Sequence, residues 1–294
     1  MSALRIGERC RVVVDNDWSG DPDGLVALAH HLLSPTNRVV AVTSSFLDPV
    51  FQAPPGAAAG AALARQLVDL IGGSVAPPVH EGSETPFGSG DATSAASAAI
   101  VAAAHEEDDL PLYLVCGGPL TNVAAALQQD PGIAERLVLV WIGGALEPGA
   151  AEYNRDTDPA AAEFVLGTPA LEVWQFPLET YRRCAYSVAE LEQDIGGSGR
   201  LGQWLWARFT SLPLPDFIEL GGVWPLGDSP PLLVTALGDE SSTFGTTPAS
   251  ADRGPRRVYT DVDFRLIAGD LLARLRLHEA RLSAAAPGPR EDDE

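Results

Sequence analysis

A chain of 294 residues, 46% of them apolar, is long enough to bury one large core. Forty acidic residues stand against 19 arginines and no lysine, a net charge of −21. This leaves no basic stripe to neutralise a nucleic-acid polymer and no lysine for a P-loop, a Schiff base or a serine–lysine nucleophile.

The apolar patterning alternates between two periods along the chain. RVVVDND (11–17) reads as a buried strand, 22–33 as a helix, and NRVVAVTSS (37–45) as a second strand. Residues 57–73 read as a helix stopped by glycine, and 92–104 as another alanine-rich helix. LPLYLVCGG (110–118) is a strand, PLTNVAAALQQ (119–129) a helix opened by proline, and RLVLVWIGG (136–144) a strand. DPAAAEFVLG (158–167) is a helix and ALEVWQF (170–176) a strand. Beyond 178 the regularity weakens. Segments 188–194 and 201–211 read as helices, 213–231 is rich in Pro and Gly, 257–264 is a late strand and 265–283 a terminal helix. Residues 285–294, AAPGPREDDE, have the composition of a disordered tail. Strand–helix alternation of this kind predicts an α/β fold with a largely parallel central sheet and extra C-terminal helices, as one domain over 1–284.

No apolar run reaches the ~18 residues that span a bilayer, and the first ten residues lack a signal-peptide core. Cys10, Cys116 and Cys184 lie far apart and read as buried thiols of a reducing compartment. The expected location is cytoplasmic, with no membrane partner.

In open parallel sheets, ligands bind at the carboxyl ends of strands. Three strands here end in polar or glycine-rich clusters, at 15–23, 116–122 and 142–154. The first holds four aspartates, Asp15, Asp17, Asp21 and Asp23. Helix capping explains two of them: Asp21 before Pro22 suits an N-cap, and Asp23 suits the first turn. It does not explain Asp15 and Asp17, which come directly off a buried strand. A hard divalent cation with oxygen ligands removes the repulsion. The same DND also resembles the DxD of haloacid-dehalogenase-type phosphotransferases, with Asp15 as nucleophile and Mg²⁺ as cofactor. Those enzymes want a downstream basic residue, usually lysine, which this chain lacks.

Three stretches in order add a more specific resemblance. CGGPLTNVAAAL (116–127), WIGGALEPGAAEYNRDTDPAAAEFV (141–165) and the opening aspartate run resemble the motifs of the inosine-uridine-preferring nucleoside hydrolase family, over residues 11 to about 283. The resemblance implies a Rossmann-like α/β fold, Ca²⁺-dependent hydrolysis of the N-glycosidic bond of a small-molecule ribonucleoside, and a homodimer or homotetramer. It further implies that Asp17 binds Ca²⁺ and takes a proton from the attacking water. Asp23, the Gly117 carbonyl and Asp228 would complete the metal site. Glu152 and Asn154 would hold the ribose hydroxyls, with Asp15 and Asn122 in support.

The departures from the family pattern are as informative. An inserted Trp18-Ser19-Gly20 separates the acidic residues, and Asp21 becomes the candidate for the ribose contact of a missing aspartate. Gly227 stands where some members carry a histidine that protonates the leaving base, which keeps a nucleoside-binding protein without turnover as a second reading. Leu47-Asp48 replaces a Gly-Asn pair. Trp18 and Trp224 flank the expected site, where an aromatic ring either stacks on a base or merely packs. Tyr181, Arg182 and Arg183 either line the base pocket or face solvent.

Overall fold

β1 (Cys10–Asn16) is buried along its whole length, as an unbroken apolar run requires of a strand covered on both faces. In the computed structural model, which describes residues 6–48, 56–73, 76–89, 93–212 and 221–285, β1 pairs in parallel with β2 (Asn37–Ser44) on one side. β3 (Val79–Glu81) lies beyond β2. On its other side β1 pairs in parallel with β4 (Leu112–Cys116), followed by β5 (Val138–Ile142) and β6 (Glu172–Phe176). β7 (Ala185–Ser187) and β8 (Val223–Pro225) form a separate antiparallel pair. β9 (Thr243–Thr247) closes the main sheet antiparallel to β10 (Arg256–Asp261), which itself runs parallel to β6.

The eight-stranded order is therefore β3-β2-β1-β4-β5-β6-β10-β9. Winding reverses between β1 and β4, the switch point at which open α/β sheets leave a crevice for ligands. Two apolar layers hold the sheet. Val12 and Val14 point into one, with Leu25, Leu67, Leu205 and Leu271 from covering helices. Val13 points into the other, with Ile100, Val123 and Val165. The alternation is the period of two expected of a strand buried on both faces.

The expected strands at the heart of the sheet form as read. β3, β9 and the β7–β8 pair had no clear sequence signal, being three to five residues long and, in β9, TFGTT, rich in exposed threonine. The helix expected at 188–194 is one turn, Val188–Glu190, that widens into a π-helical turn over Leu191–Gly196. The terminal helix runs Phe264–Ala285. Of the expected tail, 286–294 lie outside the described residues, as do 213–220 of the Pro/Gly-rich stretch. All three cysteines are free and buried. Among the described residues no helix is long and apolar enough to cross a membrane.

Candidate active site

The end of β1 turns sharply. The Gly20 N–H donates to the Asp17 carbonyl at 2.9 Å, which closes a turn through the inserted Trp18-Ser19-Gly20. The insertion is tied inward. Trp18 is 1% exposed, its indole N–H donates to the Thr43 carbonyl at 2.9 Å, and the Ser19 hydroxyl donates to the Gly56 carbonyl. Of the two alternatives for Trp18, its burial and its bond to β2 favour packing, with its Cβ set beside Gly60 of the Gly56–Ile71 helix. Asp21 then caps the Pro22–Leu33 helix, accepting from the Asp23 N–H, with Pro22 in the first position.

Four carboxylates gather at the crevice. Oxygens of Asp21, Asp23 and Asp228 lie within 4.8 Å of one another. Asp17 is not in this trio, and Asp21, expected only as a sugar contact or cap, is. Asp23 Oδ1 accepts from the Trp224 indole N–H at 3.0 Å, and Oδ2 from the Asp228 backbone N–H at 3.2 Å. Asp228 Oδ2 accepts from the Asn16 amide at 2.6 Å. Asn16 in turn takes the Asp17 N–H on its own oxygen. Both Asp17 oxygens are fully buried, with the Tyr153 side chain as a neighbouring donor.

The chain ends of β4 press against this group. A Cβ on Gly117 would lie 2.8 Å from the Asp228 carboxyl, and one on Gly118 would lie 3.0 Å from Asp17 Oδ1, so only glycine admits the approach. The Gly117 carbonyl accepts from the Asn154 amide at 2.8 Å and keeps a second lone pair.

Burial pushes Asp17, Asp21, Asp23 and Asp228 above the usual carboxylate range, and their mutual charge pushes them further. For Asp17 the Tyr153 side chain offsets part of the rise. Buried, crowded, partly unpartnered oxygens are costly in a bare protein. A hard divalent cation that takes oxygen ligands removes that cost, and the donor set fits one. Asp15 lies beneath, with Oδ1 accepting from Thr43 and Asn122 and Oδ2 from the Cys116 thiol. Burial raises it to about 6 against those three bonds. Asn122 also donates to the Ser44 carbonyl, so it locks β1, β2 and the 121–129 helix together.

On the β5 side, Glu152 caps the Tyr153–Thr157 helix. Its two oxygens accept from the N–H groups of Gly144, Asn154 and Arg155 and from the Tyr181 hydroxyl, at 2.6–3.1 Å. These four donors fix the Glu152 carboxylate at the end of β5. Both Asn154 amide hydrogens go to the Gly117 and Ile142 carbonyls, which leaves its side-chain oxygen as an acceptor. Asp158 and Thr121, from two of the sequence motifs, bond to each other at 2.7 Å and fix one helix against the next.

A cavity of about 230 Å³ opens over these groups. Asp21, Asp23, Asp228 and Asn154 form its polar side; Ile142, Tyr153, Tyr181 and Trp224 line the rest. Gly227 is also in the wall, and a Cβ there would lie 3.2 Å from the Tyr181 ring, so tyrosine fills the space beside this residue, which has no proton to donate. Arg183 points away, paired with Asp261. Sequence reasoning did not single out Asn16 or Tyr153. Asn16 stood in plain view inside DND, but only a distant partner, Asp228, gives it a role.

The sequence pattern of the inosine-uridine preferring nucleoside hydrolases matches residues 12–223. A pyrimidine-specific ribonucleoside hydrolase, RihA, of Salmonella paratyphi B is 29% identical over 211 residues, 63% of this chain and 66% of that protein; the chain thus spans just under two-thirds of the curated relative's length. The fold is similar to that of an inosine-uridine preferring nucleoside hydrolase from Bacillus anthracis, with a TM-score of 0.67 at 16% identity over 91% of this chain and 99% of that one. A plant nucleoside hydrolase, PpNRh1, gives a TM-score of 0.64 at 21% identity over 91% and 99% of the two chains.

Proposed function

The chain belongs to the inosine-uridine preferring nucleoside hydrolase family, and on that premise we propose that it hydrolyses the N-glycosidic bond of ribonucleosides with Ca²⁺ bound at the acidic crevice. The observation that carries the reading is the Asp21–Asp23–Asp228 trio of close carboxylates in the wall of a cavity, with the buried Asp17 behind it. Asp17, Asp23, Asp228 and the Gly117 carbonyl would hold the ion, with Asp21 alongside. A bound Ca²⁺ would supply positive charge that orients water and sugar hydroxyls and lowers the water's pKa.

The protein's own groups do the rest. Asp17 accepts the proton of the attacking water as general base, with the Tyr153 side chain beside it to hold the carboxylate. The side-chain oxygens of Asn154 and Asp21 accept from ribose hydroxyls and fix C1′ for attack. As the C1′–N bond breaks, the sugar gains oxocarbenium character, and the surrounding carboxylates stabilise that positive charge. Ile142, Tyr181 and Trp224 give the base an apolar, aromatic wall. The size of the cavity and the name of the Salmonella relative support uridine and cytidine as the first substrates to test. Three buried free thiols suit a reducing, cytoplasmic setting, and the family supports a homodimer or homotetramer, which light scattering would check.

The phosphotransferase reading is set aside, since Asp15 is buried with both oxygens engaged and offers no nucleophile. Incubation with a panel of ribonucleosides, with Ca²⁺ or with a chelator, tests the proposal by the release of free base and ribose. Tight nucleoside binding without released sugar would replace the enzyme by a binding protein.

A further inference from the structure

The segment that closes the cavity is fastened to one carboxylate twice. Trp224, in β8, holds Asp23 Oδ1 through its indole N–H, and four residues later the Asp228 N–H holds Oδ2. Each Asp23 oxygen keeps a further acceptor direction for a ligand. The same indole forms part of the cavity wall. Its ring meets Phe209 edge-on at 5.5 Å, and among the described residues β8 pairs only with short β7, opposite Tyr186, outside the main sheet. A buried indole N–H normally finds some acceptor. Here the acceptor is a candidate cation ligand, and the segment that supplies the donor also supplies a second ligand, Asp228.

We propose that Trp224 is a positioning residue that couples cation occupancy at Asp23 to the placement of the aromatic wall. The inference rests on the Ca²⁺ reading of the site. Donors behind a ligating carboxylate fix its orientation, and their removal typically lowers metal affinity by about 10–100-fold. Coupling of this kind is reciprocal: if the indole sets the carboxylate for the ion, the ion holds the indole and the 223–228 segment in place.

The test uses the whole chain, freed of divalent ions by a chelator and titrated with Ca²⁺. Tryptophan emission and calorimetric Kd are followed in the wild type, in Trp224→Phe, which keeps the ring and loses the N–H, and in Trp174→Phe, on β6, as the control. The wild type and the control should show the same Ca²⁺-dependent change in emission and the same Kd. Trp224→Phe should lose most of the emission change and bind Ca²⁺ at least ~10-fold more weakly. If Trp224→Phe does not fold, Trp224→His retains a ring donor and should lie within a few-fold of wild-type affinity. Wild-type affinity in Trp224→Phe, or an emission change that persists in it, overturns the proposal, as does an ion-indifferent Trp224→His. A wild type that binds no Ca²⁺ overturns both this inference and the metal reading. The expected emission pattern without nucleoside hydrolysis would sink only the reaction.

Discussion

The Asn16 amide donates to Asp228 Oδ2 at 2.6 Å across 212 residues of chain, and its oxygen accepts the N–H of Asp17 at 2.7 Å. One neutral side chain thus sets two acidic ones. Asn16→Ala should leave the fold intact and weaken Ca²⁺ binding by roughly 10–100-fold, read by calorimetry. Unchanged affinity would mean that Asp228 is held well enough without it.

Asp17→Asn keeps volume and removes the base. Turnover of nucleosides should fall by about 10²–10⁴. The metal-free protein should melt no lower than wild type, because a buried carboxylate crowded by other carboxylates is replaced by a neutral group. Wild-type kcat in this variant would end the role given to Asp17.

Trp18 packs and does not face the cavity. Trp18→Ala should therefore destabilise the fold by about 3–5 kcal/mol in urea unfolding. Losses of activity should be parallel across substrates. A loss of less than ~1 kcal/mol together with a selective effect on one base would return Trp18 to the substrate.

Gly227 offers no proton to a departing base, and burial together with the charge of Glu152 pushes the neighbouring Tyr181 hydroxyl up, which makes it a poor acid. A ribosyl group with a good leaving group, such as p-nitrophenyl riboside, should react at least ~10²-fold faster than inosine or uridine. Equal rates would show that another group donates the proton. Tyr181→Phe would then be the next variant to measure.

His31 is buried in the Pro22–Leu33 helix, and burial lowers it to about 3, with the neighbouring His30 a smaller contribution. The folded state thus stays unprotonated where the unfolded chain, near 6.5, takes up a proton. Stability is full above that value and falls with pH between 6.5 and 3, by about 1.4 kcal/mol per pH unit for this group. His31→Gln should flatten the slope of ΔG between pH 6.5 and 5 by up to that amount. An unchanged slope would mean that His31 is protonated in the fold.

The sheet was readable where period and length were both clear. β1, β4 and β5 are apolar runs that end in polar or glycine turns, and the switch point follows from their order. Short β3 and threonine-rich β9 are held by neighbours and carry little pattern of their own. The acidic crevice was legible because capping leaves Asp15 and Asp17 unexplained. Which residue does what within it was not. The motif that names Glu152 does not show that its carboxylate also caps a helix, because three of its four donors are backbone N–H groups that any residue carries. The direction of Trp18 depends on a gap left by Gly60, 42 residues away in a different element, and nothing local to the insertion encodes it.

Asp23 and the N–H that secures it are 205 residues apart, and most of the sheet lies between them in the chain. Closing so long a loop carries an entropic cost that grows slowly with its length. A growing chain therefore carries the aspartates of 15–23 with no Trp224 or Asp228 to meet them until some 200 further residues have been made. A fragment that stops short of Trp224 keeps the acidic loop and lacks the strand that turns it into a site. By the same logic, an ion that binds only the closed crevice selects completely folded molecules and stabilises them by mass action.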